Sequence, residues 1–262
     1  MSADPVQAGR RPRLLVVQQD PKDGPGRLAP GLAAHLELDV RRAHLGEPLP
    51  DRLAGPGSHE RPQALLVLGG AMAAWEDDAA PWLPAIRRLL AEAVDGGLPV
   101  LGVCLGAQLL AAATGGRVER GAAGLEVGLV PVTLGPAAAT DPLLSGVHAR
   151  RQGAGDGAVV PSPQWHQDAI TALPPGAEPL ASSAVYPHQA YRLGERAWGV
   201  QYHPEVSVAD FAGWLAADGA DVVAAGLDPA ALLAEMTAAE AEVQAVADLH
   251  AAAFADVVLA AS

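Results

Sequence analysis

The sequence predicts an α/β domain organised on a parallel sheet with helices on both faces. Short apolar runs alternate along the chain with stretches of helical period, the order from which such sheets are built. The runs are apolar throughout, as strands covered on both faces require. One stretch organises the rest: Leu98 to Gly116, LPVLGVCLGAQLLAAATGG, goes from an apolar run through a turn with glycine on both sides of one cysteine into a helix former.

In chain order, Arg13 to Gln18 (RLLVVQ) lies between Pro12 and Asp20-Pro21 and reads as a buried first strand. Gly24 to Leu36 carries two prolines and a short helical stretch. Leu36 to Val40 alternates, as a strand nearer an edge does. Ala64 to Leu68 is a buried strand that runs into Gly69-Gly70. Pro81 to Val94 places Leu83, Ile86, Leu90 and Val94 on one helical face, and Asp95-Gly96-Gly97 ends it. Leu125 to Leu134 is strand-like, with Pro131 marking an edge or bulge. His148 to Gln164 is polar and glycine-rich and reads as a loop. Short strands are expected at Ala181–Tyr186, Gln189–Leu193 and Ala197–Tyr202, the last two joined at Gly194-Glu195 as a hairpin. A helix follows from Val208 to about Ala216.

Composition narrows the function. A net charge of −13 argues against nucleic acid and anionic membrane surfaces as partners. A single cysteine excludes an intrachain disulfide and a cysteine-based metal cluster, and suits a reducing compartment. Residues 1–12 have no apolar signal core and read as a disordered lead-in, so the expected location is cytoplasmic. The stretch from Gly96 to Gly116 is uncharged, but Pro99, Gln108 and its internal glycines make it a strand–turn–helix instead of a lipid-facing helix.

The cysteine in that stretch is Cys104. Glycines two before and two after let strand and helix pack closely around a sharp turn, the pattern of a nucleophile elbow. The sulfur would then lie at a helix N-terminus, whose free N–H groups favour a thiolate. A thiolate nucleophile needs a base and a group that orients it. His203, in Gln201-Tyr202-His203-Pro204-Glu205, follows an expected strand, where catalytic loops emerge in α/β sheets. His203 and Glu205 are two apart in an extended segment and project to the same face.

Gly-Val-Cys-Leu-Gly-Ala-Gln and Gln-Tyr-His-Pro-Glu together resemble the two signature blocks of the class I (triad) glutamine amidotransferases. The strand ending Leu68-Gly69-Gly70 looks like that family's glycine loop, although Ala71 stands where many members have proline. The resemblance covers about Leu14 to Leu215, with an amidotransferase domain expected over 13–220. It implies a flavodoxin-like three-layer α/β/α sandwich with a small appended mixed β-sheet. It makes Cys104 the nucleophile, His203 the general base and acid, and Glu205 its orienter. The oxyanion is assigned to the N–H groups of Gly70 and Leu105, and substrate binding to Gly69, Gln108 and His166. The segment Trp165-His166-Gln167-Asp168 resembles the pocket-flanking stretch of GMP synthetase-type members. No metal and no cofactor are implied.

Three functions follow as alternatives. The first is a glutaminase that supplies ammonia to a synthase, expected on a separate chain because no ATP-pyrophosphatase loop follows in this sequence. The second is a free-standing γ-glutamyl hydrolase or peptidase using the same triad. The third is a non-catalytic regulatory subunit, against which the intact triad argues. Beyond the resemblance, Asp228-Pro229 opens a helical extension over 228–262 with Leu232, Met236, Val243, Ala247, Phe254 and Val257 at helical spacing. Its apolar stripe must be buried, either on the chain's own helices, which is the expectation, or on another chain as a homodimer or synthase contact.

Overall fold

The computed structural model describes residues 11–53, 61–153 and 158–262. Most of the expected lead-in, residues 1–10, lies outside the described residues. Strands β1 (Arg13–Gln18), β2 (Glu37–Arg42), β3 (Ala64–Val67), β4 (Val100–Val103) and β11 (Ala197–Val200) form a parallel sheet in the order β2-β1-β3-β4-β11. That is the doubly wound order of flavodoxin-like folds. The side chains of β1 show why the runs are apolar on both faces. Leu14 and Val16 enter one core with α1 (Leu28–His35) and α7 (Glu240–Ala261). Leu15 and Val17 enter the other with α2 (Leu83–Asp95) and α3 (Leu105–Ala113). The half-buried second strand, β2, is the sheet edge.

The expected hairpin is present: β10 (Ala190–Leu193) pairs antiparallel with β11 across a turn in which Gly194 has φ 61°. Antiparallel strands β10, β9 (Ala177–Ser182), β6 (Glu126–Leu134) and β7 (Val159–His166) continue the main sheet. A separate pair, β5 (Arg117–Arg120) and β8 (Asp168–Ala172), is antiparallel. The extra strands expected as a small mixed sheet therefore divide between the main sheet and this ribbon.

The loop reading of 148–164 is overturned. Helix α4 (Ser145–Gly153) and strand β7 occupy most of it, while residues 154–157 lie outside the described residues. Strand β7 carries Pro161 and Pro163, which local propensity excludes from a sheet interior. It is the last strand of the sheet, and Pro161 sits opposite Pro131 of β6, so the sheet keeps both. The strand expected at 181–186 lies earlier, as β9, and Ser183 to Tyr186 form a turn. Helix α5 (Val208–Ala224) extends past Ala216, opened by a capping box between Ser207 and Asp210.

The tail is two helices, α6 (Pro229–Ala238) and α7, the first capped by the Asp228 carboxylate on the Ala230 N–H. Helix α7 is long and apolar enough to cross a bilayer. Here Val246, Phe254 and Val258 are buried in the main core instead, and Val243 is buried as well. At about 1.5–3 kcal/mol for each such side chain, their burial is comparable to the net stability of a whole domain. Deleting residues 228–262 is therefore expected to yield aggregated protein, or protein that binds hydrophobic dye and lacks a cooperative melt. A truncated chain with an unchanged melting temperature would show that the tail is not part of the core.

Candidate active site

The parallel strands deliver their C-terminal ends to one rim. There β1, β3, β4 and β11 are followed by Gln19, Gly69-Gly70, Cys104 and Gln201–Glu205. A cleft of about 330 Å³ opens at this rim and is lined by Gly70, Cys104, Leu105, Gln108, His166 and His203, among others.

Cys104 joins β4 to α3. Among the described residues it is the only non-glycine with a left-handed φ (φ 50°, ψ −108°). Such a conformation costs on the order of 1–3 kcal/mol and persists only where neighbours impose it. The neighbours are the flanking glycines. A Cβ on Gly106 would lie 2.0 Å from the Val67 carbonyl oxygen, and one on Gly102 2.6 Å from Gly106 backbone. Only glycine lets β4, β3 and α3 approach this closely. The Cys104 N–H donates to the Val200 carbonyl at 2.8 Å, tying the elbow to β11.

His203 is buried and its Nδ1–H donates to Glu205 Oε1 at 2.7 Å. That bond leaves Nε2 as the working nitrogen. Burial by itself lowers the imidazole pKa. The Glu205 carboxylate, then the nearby Cys104 sulfur, outweigh it and hold the pKa well above the ordinary histidine value. The buried carboxylate partner thus favours the charged imidazolium form of His203. Trp214 of α5 stacks edge-on against the ring at 4.8 Å between centroids. Gly26, where a Cβ would meet the Glu205 carbonyl oxygen at 2.1 Å, and the Arg27 N–H bonded to that oxygen at 2.8 Å, support the orienter from behind. The tail reaches this loop too: Tyr202 donates to His250 of α7 at 3.0 Å.

Leu105 is the first residue of α3, so its N–H has no intrahelical partner. Gly70 packs against the Leu105 side chain, and buried Gln19 holds the preceding Leu68 carbonyl at 2.8 Å. Two N–H groups beside one nucleophile suit an oxyanion. Gly69 faces His203 and Asp23. Gln108 is buried, its amide nitrogen bonded to the Asp168 carbonyl and to Gln201. His166 lines the cleft, but both ring nitrogens are engaged, with Glu126 at 2.8 Å and the Asp168 carbonyl at 2.9 Å. Asp77, after the glycine loop, pairs with Arg87.

The family model for class-I glutamine amidotransferases matches residues 34–218, more than half of the chain. The chain belongs to that family. Its relatives include GMP synthases described as glutamine-hydrolysing. The protein from Thermus thermophilus is 39% identical over 150 residues, 56% of this chain and 25% of its own length. The one from Thermomicrobium roseum is 38% identical over 151 residues, 57% and 24% respectively. This amidotransferase thus spans about a quarter of the length of the curated relatives it matches. Solved structures cover nearly the whole chain. A glutamine amidotransferase from Methylobacillus flagellatus has TM-score 0.78 and 27% identity over 95% of this chain and 96% of its own. One from Thermotoga maritima has TM-score 0.77 and 25% identity over 95% and 99%.

Three residues that touch the nucleophile or its base in this amidotransferase are not among those the sequence pointed to. Gln201 donates weakly to the Cys104 sulfur at 3.5 Å, and its signal was available, since it alternates with His203 in one extended segment. Asp23 and Trp214 carried no such signal. They meet His203 only because a loop after β1 and a helix after β11 converge on one rim.

Proposed function

We propose that this amidotransferase hydrolyses the side-chain amide of glutamine through a thioester on Cys104, giving glutamate and ammonia for a synthase on a separate chain, in the cytoplasm. The observation that carries this reading is the strained elbow cysteine beside a buried histidine whose other nitrogen is held by Glu205. The names and similarity of the GMP synthases support it.

In this reading the Cys104 thiolate attacks the amide carbonyl carbon, and the N–H groups of Gly70 and Leu105 receive the oxyanion. The His203 imidazolium gives its proton to the leaving nitrogen as the carbon–nitrogen bond breaks. The same ring then takes a proton from water, which attacks the thioester and releases glutamate and the thiol. Gln108 and His166 shape the pocket for the glutamyl portion, and Gly69 backs the His203 ring. Purified protein incubated with glutamine is expected to release glutamate and ammonia in equal amounts, faster when the right synthase is added. Absence of turnover on glutamine and on every γ-glutamyl amide tried would overturn the reading. The second reading, a free-standing γ-glutamyl hydrolase, is favoured by the charge around one side of the cleft.

A further inference from the structure

That side of the cleft lies beside His203. The imidazole edge at Cε1 faces Gly69 and Asp23: a Cβ on Gly69 would stand 3.1 Å from both His203 Cε1 and Asp23 Oδ2. The ring also packs on Trp214. Trp214, Asp218 and Asp221 all line the cleft and share one face of α5 by their spacing. Asp20, Lys22 and Asp23 line the same cleft, and Lys22 reaches Asp218.

This side of the cleft is built for a positive charge. Asp23 is only 8% exposed and lines the cleft, yet its carboxylate makes no hydrogen bond or ion pair with any described residue. Burial, opposed by His203 and reinforced by Glu205, raises its pKa to about 7. Lys22 already brings an ammonium to Asp218 at 2.7 Å, and its pKa is raised by that bond and, after a smaller loss to burial, by the charges of Asp218, Asp20 and Asp23. An aromatic face beside carboxylates is a recognised environment for amines. Among the described residues no three His, Cys, Asp or Glu side chains are grouped to hold a metal ion, so an organic cation fits better than a metal.

The amide nitrogen must sit next to His203 Nε2 to be protonated. The His203 ring is flanked by Asp23 and Trp214, so a substituent on that nitrogen has these two side chains as its nearest cleft neighbours. We infer that this space is a leaving-group subsite for a cationic amine, which makes a γ-glutamyl amide of a diamine or polyamine a better substrate than its uncharged counterpart. The inference rests on the proposed thioester chemistry. The amide carbon–nitrogen bond breaks, the departing amine takes the imidazolium proton, and water supplies the hydroxyl of glutamate and returns a proton to the site.

The test compares four substrates on the full chain by glutamate release: glutamine, and the γ-glutamyl amides of a linear diamine, of the alkylamine of matching length, and of the matching amino acid. The diamine amide is expected to exceed the alkylamine amide in kcat/KM by roughly tenfold or more at low ionic strength, with the advantage shrinking as salt is added. In an Asp218→Asn/Asp221→Asn double variant the ratio should fall toward one, and Asp23→Asn should lower it too. Equal use of diamine and alkylamine amides, preference for the anionic amide, cleavage of glutamine alone, or a ratio unchanged in the double variant would each overturn the subsite while leaving the thioester reading intact. Failure on all four substrates would overturn both.

Discussion

Cys104→Ala is expected to abolish glutamine hydrolysis, a loss of roughly 10⁴-fold or more, because no other group in the chain can form the thioester. It is the only thiol in the sequence, so covalent labelling by a glutamine-mimicking electrophile should vanish with it. The fold should survive, since one sulfur atom is a small volume loss. Alanine, however, keeps a Cβ at φ 50° and keeps the strain. Cys104→Gly should relieve it, giving a dead enzyme that melts above Cys104→Ala by the few degrees that about 1 kcal/mol confers. Residual turnover in either variant, measured as ammonia release, would remove Cys104 from the mechanism. Equal melting temperatures would show that the elbow stores no strain.

Glu205→Gln is expected to cost on the order of 10³–10⁴-fold in kcat with a much smaller change in KM, as loss of an orienting carboxylate does in triad enzymes. The carboxylate stabilises charge on His203 during turnover, so its removal acts on the chemical step. Its charge is also the largest single influence that raises the His203 pKa against burial. A raised pKa means the imidazolium persists as pH climbs and is lost only on passing the folded-state value. Removing Glu205 lowers that value, so the alkaline limb of the kcat/KM profile should move to lower pH. A variant with raised KM, unchanged kcat and an unmoved alkaline limb would exclude Glu205 from the triad.

Both variants concern residues that stood out in the sequence. The elbow could be read from residues 102–106 because the close approach of β4 and α3 demands glycine at fixed positions whatever the rest of the fold does. His203 and Glu205 could be paired because a two-residue offset in extended chain puts side chains on one face. His166 was legible as a cleft residue, but not that Glu126 and the Asp168 backbone hold both its nitrogens, since Glu126 lies on another strand. The hydrogen bonds of Gln108 were hidden for the same reason.

The strands misread were those stabilised by partners instead of by their own composition. Strand β7, with two prolines, forms because β6 pairs along most of its length, and β5 and β8 form because each completes the other. By itself the sequence determined the parallel α/β core, the elbow and the histidine–glutamate pair, because apolar periodicity, glycine spacing and strand alternation are local constraints. Only the tertiary structure decided that the tail folds home onto α1. It alone brought Asp23 and Trp214 to His203 and Lys22 to Asp218, because those contacts join a loop after β1 to a helix nearly two hundred residues later, and no local pattern encodes that meeting.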